Sequence, residues 1–233
     1  MTVESSEQPD SNLREYLTAA HEDYLKTIYI LANRGSKVSN STLSNQLGVT
    51  PASATNMVKK LAELKLVTHT PYQSIKLTDA GQKVALEVLR HHRLLELYLH
   101  QILNIPLEEV HAEADRLEHV ISESFEDAIA DALGNPTLDP HGDPIPTREG
   151  HVDPVQGTPL DQAQIGRVYR LIRVLIQEPE RLAYLGTLDL LPNAIVTIIE
   201  RAPFQGPLLL EVNNVHHAIA HEMATHLIVA PIE

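Results

Sequence analysis

The chain of 233 residues contains no cysteine and no tryptophan, and aromatic residues make up only 4% of it. Without cysteine there is no disulfide framework and no thiolate site, so a metal ion would have to be held by nitrogen and oxygen donors. No apolar run approaches the roughly 18 residues that a membrane-spanning helix needs. The first twelve residues, MTVESSEQPDSN, are polar and acidic, so neither a membrane span nor a secretory signal is expected, and cytoplasmic placement follows. A nucleophile–base pair, a phosphate-binding loop and a dinucleotide motif are all missing, which leaves an enzymatic role without support. There is no internal repeat. Hydrophobic residues make up 43% of the chain, an ordinary share for a folded protein, and the length allows two or three small cores.

Charge of one sign is also scarce: 18 basic residues stand against 31 acidic ones, a net −13. Mapped along the chain, the scarcity is uneven. Between Arg34 and Lys76 lie six basic residues (Arg34, Lys37, Lys59, Lys60, Lys65, Lys76) and one acid, Glu63. That segment carries +5, which leaves −18 for the remainder. Local charge decides contact with nucleic acid, and total charge does not.

The basic segment also has the helix signals of a DNA reader. A first helix is expected from Asn12 or Leu13, with Leu17, Tyr24, Ile28 and Leu31 at helical period and a stop near Gly35. Residues 1–12 before it are expected to be disordered. In SNSTLSNQLGVTPASATNMVKKL, a short helix with Leu43 and Leu47 breaks at Gly48. Thr50-Pro51 then gives an N-cap and a proline at the first helical position. The second helix buries Ala54, Val58 and Leu61 and leaves Ser53, Asn56, Lys59 and Lys60 outward. This is the layout of a helix-turn-helix, with small polar residues for base edges and lysines for phosphates. Strands around Val67–Thr70 and Ser74–Leu77, joined at Pro71-Tyr72, make it a winged helix. Candidate DNA contacts are Ser39, Thr50, Pro51, Ala52, Ser53, Thr55, Asn56, Lys59, Lys60, Tyr72 and Gln73.

Beyond the wing, Thr78 or Asp79 caps a long helix reaching about Leu103, and Asn104-Ile105-Pro106 breaks it. A second helix is expected from Leu107 to Leu133, with Val110, Ala114, Leu117, Ile121 and Ile129 on one side. Two such amphipathic helices suit a dimer interface, and a dimer would present recognition helices one DNA turn apart. The same helices concentrate metal-type donors. His92 and Glu96 stand four residues apart, and His111, Asp115, Glu118 and His119 lie along a second face. Converging imidazole and carboxylate groups suit a divalent transition metal. Asp23, midway along the first helix and off its apolar stripe, reads by spacing alone as a solvated acid. Residues 134–160 are rich in proline and glycine and read as a loop or linker. From Gln164 onward short β-runs, interrupted by a helical piece from Pro179 to Leu185, suggest a small barrel of about five strands.

HEDYLKTIYIL, TPASATNMVKKL, GxxxALxVLRHHRLLE, EVHAEADRLEHVIS, PHGDPIP and HEMATHLIV stand in an order that resembles the diphtheria toxin repressor family, above all its manganese-responsive members. The resemblance covers nearly the whole chain. It implies a mainly α protein with small β parts: a winged-helix DNA-binding domain (1–80), a helical metal-binding and dimerisation domain (81–140), a linker (141–160) and an SH3-like (FeoA-like) barrel (161–233). It implies a primary metal site of Asp23, His92, Asp115, Glu118 and His119. A second site is implied at His92, Glu96 and His111, completed either by the barrel domain or by Asp139 and His141 of the PHGDPIP loop, which would give two metal sites per subunit. Positions where the family's barrel donates Glu and Gln correspond to Arg173 and Ile176, with Gln177 or Glu178 nearby. Carboxylates at Asp23 and Asp115, where iron-responsive members carry sulfur, favour Mn²⁺ over Fe²⁺. The implied function is a homodimeric, metal-dependent repressor of metal-transport genes that binds double-stranded operator DNA. Metal would fix the angle between the DNA-binding and dimerisation domains.

Two other readings are weaker. HEMATH (His221 to His226) has one residue too many for a zinc-protease helix, which turns the second histidine off the ligand face. A winged-helix regulator sensing an organic ligand would leave five N or O donors converging for no reason. His216 and His217 read as surface residues.

Overall fold

Residues 14–70 and 73–232 are described by the structure, a computed structural model. The N-terminal twelve residues expected to be disordered, and the expected DNA contact Tyr72, lie outside that range. The chain forms two compact units that divide between Leu89 and Arg90.

In the first unit, helix α1 spans Ala19–Asn33, several residues later than Asn12 or Leu13, because Thr18 is extended and Arg14–Tyr16 form a separate 3-10 turn. The Thr18 N–H donates to Nδ1 of His21 at 3.0 Å, so a histidine takes the place that Glu or Gln holds in a usual capping box. Helix α2 (Asn40–Gln46) starts at a more readable cap: Ser39 Oγ accepts from Thr42 N at 3.2 Å while Thr42 Oγ1 accepts from Ser39 N at 2.8 Å. Helix α3 (Pro51–Glu63) has proline in its first turn, and Thr50 Oγ1 accepts from Ser53 N at 3.2 Å. Ala54, Val58 and Leu61 of α3 pack with Tyr24, Leu25, Ile28 and Leu43 into one core. Strands β1 (Val67–Thr68) and β2 (Lys76–Leu77) pair antiparallel and are shorter than expected. The residues before β2 bond elsewhere: Ile75 N donates to Val38 O at 2.9 Å, and Ser74 Oγ accepts from Val38 N at 3.0 Å. Helix α4 (Asp79–Gln101) crosses the boundary between the units.

The second unit departs from expectation in two places. The single helix expected over 107–133 is two, α5 (Leu107–Leu117) and α6 (Glu123–Ala132). Ser122 is extended and its Oγ accepts from Phe125 N at 3.3 Å, so it starts a new helix rather than continuing the old one. The break is concealed in sequence because Ala114, Leu117, Ile121 and Ile129 still meet one core with Leu94, Leu95 and Leu97 of α4.

The C-terminal part is an open sheet rather than a closed barrel. Strands β3 (Thr158–Pro159), β4 (Val168–Val174), β5 (Ile195–Arg201), β6 (Leu208–Val212), β7 (Val215–Ile219) and β8 (Leu227–Pro231) run antiparallel in the order β3-β8-β4-β5-β6-β7. Among the described residues no ladder joins β3 to β7, and six strands replace the expected five. Alternate residues (Leu171, Val196, Ile198, Leu208, Leu210, Val229) face a core closed by Leu182 and Leu185 of helix α7 (Pro179–Thr187). Leu191 packs against both this core and the Leu99–Leu107–Val110 cluster, so helices and sheet share one unit. HEMATH contributes only a one-turn helix, α8 (His221–Ala224), and the approach to β8. No described helix is long and apolar enough to cross a membrane.

Candidate metal centre

The ring of His92, 5% exposed on α4, faces carboxylates from both edges. Its Nδ1 lies 2.5 Å from Glu118 Oε2 and 3.3 Å from Asp115 Oδ1. Its Nε2 lies 2.9 Å from Glu96 Oε1, one helical turn along α4, and 3.1 Å from His111 Nδ1. His111 Nδ1 is also 2.9 Å from Glu96 Oε1, and Nε2 of the same ring is 3.6 Å from Asp115 Oδ2. His92 therefore belongs to two groups of potential ligands, one with Asp115 and Glu118 and one with Glu96 and His111. His119 follows Glu118 in the turn after α5, with Nε2 3.4 Å from Glu118 Oε1.

Burial makes these carboxylates demanding. Glu118 is fully buried and Glu96 is 2% exposed, and a buried anion needs a cation or strong hydrogen-bond donors. At Glu96 burial works to raise the pKa, but the imidazoles of His92, His111 and His141 outweigh it and hold the carboxyl well below its usual range. The result is an ionised oxygen among imidazole nitrogens, a hard, sulfur-free donor set.

His141 strengthens that fit. It is 1% exposed, neither ring nitrogen has a hydrogen-bond partner, and Nε2 lies 3.8 Å from Glu96 Oε1. Burial lowers its pKa, which keeps the ring neutral and its lone pair available. Asp139, expected beside it as a ligand, is engaged otherwise. Its Oδ1 accepts from the backbone of His141 and Asp143 at 2.8 Å each, and its Oδ2 faces Arg93 Nε at 3.6 Å. Burial and the carboxylates of Asp143 and Glu96 push the Asp139 pKa well above its usual value, against the pull of Arg93. On the sheet, Arg173 pairs with Asp143, Ile176 is buried in the sheet core and Glu178 is exposed.

Sequence reasoning missed the support behind Glu118. His91, with no exposed surface, places Nδ1 3.1 Å from the Glu118 carbonyl and Nε2 2.8 Å from Glu126 Oε2 on α6. Arg90 Nε donates to the other Glu126 oxygen at 2.5 Å, and Arg90 Nη1 donates to Pro146 O at 2.8 Å. Burial would raise the Glu126 pKa, but the hydrogen bonds from His91 and Arg90 bring it down to about 2. Only the adjacency of His91 to His92 hinted at this, and adjacent helical residues point in different directions.

In the first unit, Pro51, Ala52, Ser53, Asn56, Lys59 and Lys60 are exposed along α3, and Gln73 is exposed in the wing. Ser39 and Thr50 serve as helix caps, and Thr55 is half-buried with its hydroxyl on Pro51 O at 2.8 Å. Asp23 is half-buried on α1.

A winged helix with a cationic second helix, and a second unit built around imidazole–carboxylate clusters, define a metal-responsive DNA-binding protein. Residues 16–75 match the family described as iron dependent repressor, N-terminal DNA binding domain. Residues 78–147 match its metal binding and dimerisation domain, and 158–231 match the FeoA domain. The iron-dependent repressor IdeR of Mycobacterium tuberculosis is 32% identical over 218 residues, spanning 87% of this chain and 93% of that protein. The chain belongs to the iron-dependent repressor family, that of the diphtheria toxin repressor, and is a metal-dependent transcriptional repressor rather than an enzyme. Among solved structures, a manganese-dependent transcriptional repressor in complex with manganese matches with a TM-score of 0.83 and 31% identity over 91% of this chain and 100% of the other. The manganese regulator SloR matches with a TM-score of 0.76 and 30% identity over 93% and 100%.

Proposed function

We propose that this repressor senses Mn²⁺ in the cytoplasm and, as a homodimer on double-stranded operator DNA, controls metal-transport genes. The observation that carries this reading is His92, whose two ring nitrogens face two sulfur-free groups of ligands. Hard oxygen and imidazole donors favour Mn²⁺ and also admit Fe²⁺, the metal that names relatives such as IdeR. Residues 1–80 would read DNA, 81–140 would bind metal and dimerise, 141–160 would connect, and 161–233 would form the FeoA-like domain.

Asp115, Glu118 and His119, with His92, are the proposed first ligand set. The family resemblance adds Asp23. Glu96, His111 and His141 are the proposed second set, with His92 between the two and Asp139 bracing the His141 loop. A bound divalent cation supplies positive charge that neutralises the clustered carboxylates. The chain's own residues do the rest: Glu96 stays ionised beside imidazoles, and α3 offers Ser53 and Asn56 to base edges while Lys59 and Lys60 meet phosphates.

The test is a titration of metal-free protein with Mn²⁺, Fe²⁺, Co²⁺ and Zn²⁺, following affinity for a duplex selected from a random pool. Operator binding should rise with Mn²⁺ and collapse with EDTA. Affinity indifferent to EDTA sinks the reading, and a response confined to Fe²⁺ transfers it to iron.

A further inference from the structure

The sheet reaches the second ligand cluster, yet among the described residues the His, Asp and Glu side chains that gather there (His92, Glu96 and His111) come from helices. Residues 139 and 141–146 are buried between α4 and β4. On the β4 side, Arg173 Nη2 pairs with Asp143 Oδ1, and Val174 N donates to His141 O at 2.9 Å. Gly142, at φ +85°, lies so close to the Ile172 carbonyl that a Cβ would overlap it. That carbonyl sits where β4 shifts register against β8 between Leu171 and Arg173. On the α4 side, Arg93 Nη1 donates to Pro144 O, and Arg93 Nη2 lies 3.5 Å from Asp143 Oδ1. Every one of these contacts grips the loop's backbone or Asp143. None engages the His141 ring, which is left with two unpartnered nitrogens 3.8 Å from Glu96 Oε1 on its Nε2 side.

We propose that Arg173 is a positioning residue for the second metal site: by gripping Asp143 it holds His141 toward Glu96 and His111, so the C-terminal sheet governs occupancy of that site without ligating the ion. The inference rests on the two-cluster reading above and deepens it. Asp143 is only 7% exposed and shares its surroundings with the Asp139 and Glu96 carboxylates. Removing Arg173 leaves the buried Asp143 facing Arg93 at 3.5 Å but without its tie to β4. The loop then relaxes away from α4 and takes His141 with it. Losing an outer partner of this kind typically costs 10–100-fold in metal affinity.

The experiment uses the full chain, freed of metal. Mn²⁺ binding is followed by calorimetry and Co²⁺ binding by visible absorption, which reports on imidazole coordination. Wild type should take two equivalents. Arg173→Ala should lose roughly 10–100-fold in affinity for one equivalent only. It should also reproduce the Co²⁺ spectrum of His141→Ala, and the double variant should lose nothing more. Arg173→Lys, which keeps a cation, should recover part of the loss. Both equivalents at wild-type affinity in Arg173→Ala, or both weakened in step with a lower melting temperature, overturn the proposal. If Arg173→Ala does not fold, Arg173→Lys and Asp143→Asn are judged by the same criterion of selective loss. Fewer than two equivalents in wild type removes the two-site reading itself, whereas two equivalents untouched by these variants removes only the role of Arg173.

Discussion

The two clusters that meet at His92 are held in different ways. Around its Nε2, Glu96 and His141 are almost dry, and the loop carrying His141 is fastened to a helix on one side and a strand on the other. Around its Nδ1, Asp115 keeps nearly half of its side chain in solvent, and Glu118 and His119 ride on the turn between α5 and α6. That turn is steadied from behind by His91. Burial strengthens electrostatic attraction and makes an unpaired charge costly, so the Nε2 side is built in advance. On the Nδ1 side Glu118 is fully buried, and it is the edge at Asp115 that stays open to its surroundings. One cluster is a fixture and the other is suited to being the switch.

The sharpest way to break this comparison is at the shared residue. His92→Ala should weaken both Mn²⁺ equivalents by more than about 100-fold, because one ring contributes to both sets. Calorimetry that shows one equivalent intact would separate the clusters. Next in size, Asp23→Ala should abolish Mn²⁺-stimulated DNA binding in a mobility-shift assay with little change in melting temperature. Normal stimulation would remove Asp23 from the ligand set.

A smaller effect tests the support behind the switch. Glu126, with its pKa depressed to about 2 from 4.5, contributes stability that is fully present above about pH 4.5. That contribution is lost as pH falls toward 2. Metal-free Glu126→Gln should therefore be less stable than wild type at pH 7, with the gap closing between pH 4.5 and 2 in urea unfolding. Its first metal equivalent should weaken while the second holds. A pH-independent gap would show that the Arg90–His91–Glu126 network is not what the carboxylate stabilises. The smallest change is expected outside both clusters. Lys59→Ala or Lys60→Ala should weaken binding to all duplexes alike, lower the slope of log affinity against log salt by about one, and leave both metal equivalents untouched.

Much of the fold could be read along the chain because local chemistry marks it. Thr50-Pro51 and Gly48 punctuate the helix-turn-helix, and each acts in the structure as its residue type suggests. The break at 118–122 was hidden because the apolar period runs straight across it, so hydrophobic spacing described the buried face and not the backbone. The cap at Thr18 was hidden because His21 stands where a glutamate or glutamine is the usual sign. Of the site, the donors on helices were legible at i and i+4 spacing. The Arg93–Asp143–Arg173 grip was not, since its members come from a helix, a loop and a strand with no common period.

By itself, the sequence determined the chemistry of this protein. The missing cysteine rules out thiolate, the basic stretch from Arg34 to Lys76 faces DNA chemistry, and imidazoles and carboxylates gather after Arg90. Residue type sets donor hardness and charge wherever the chain goes. Only the tertiary structure decided which donors meet. It split His92 between two groups, set Asp139 Oδ1 on the loop backbone, left the terminal sheet open, and set Arg173 on Asp143. Those outcomes depend on distances between segments far apart in the chain, and long-range packing, not local spacing, sets such distances.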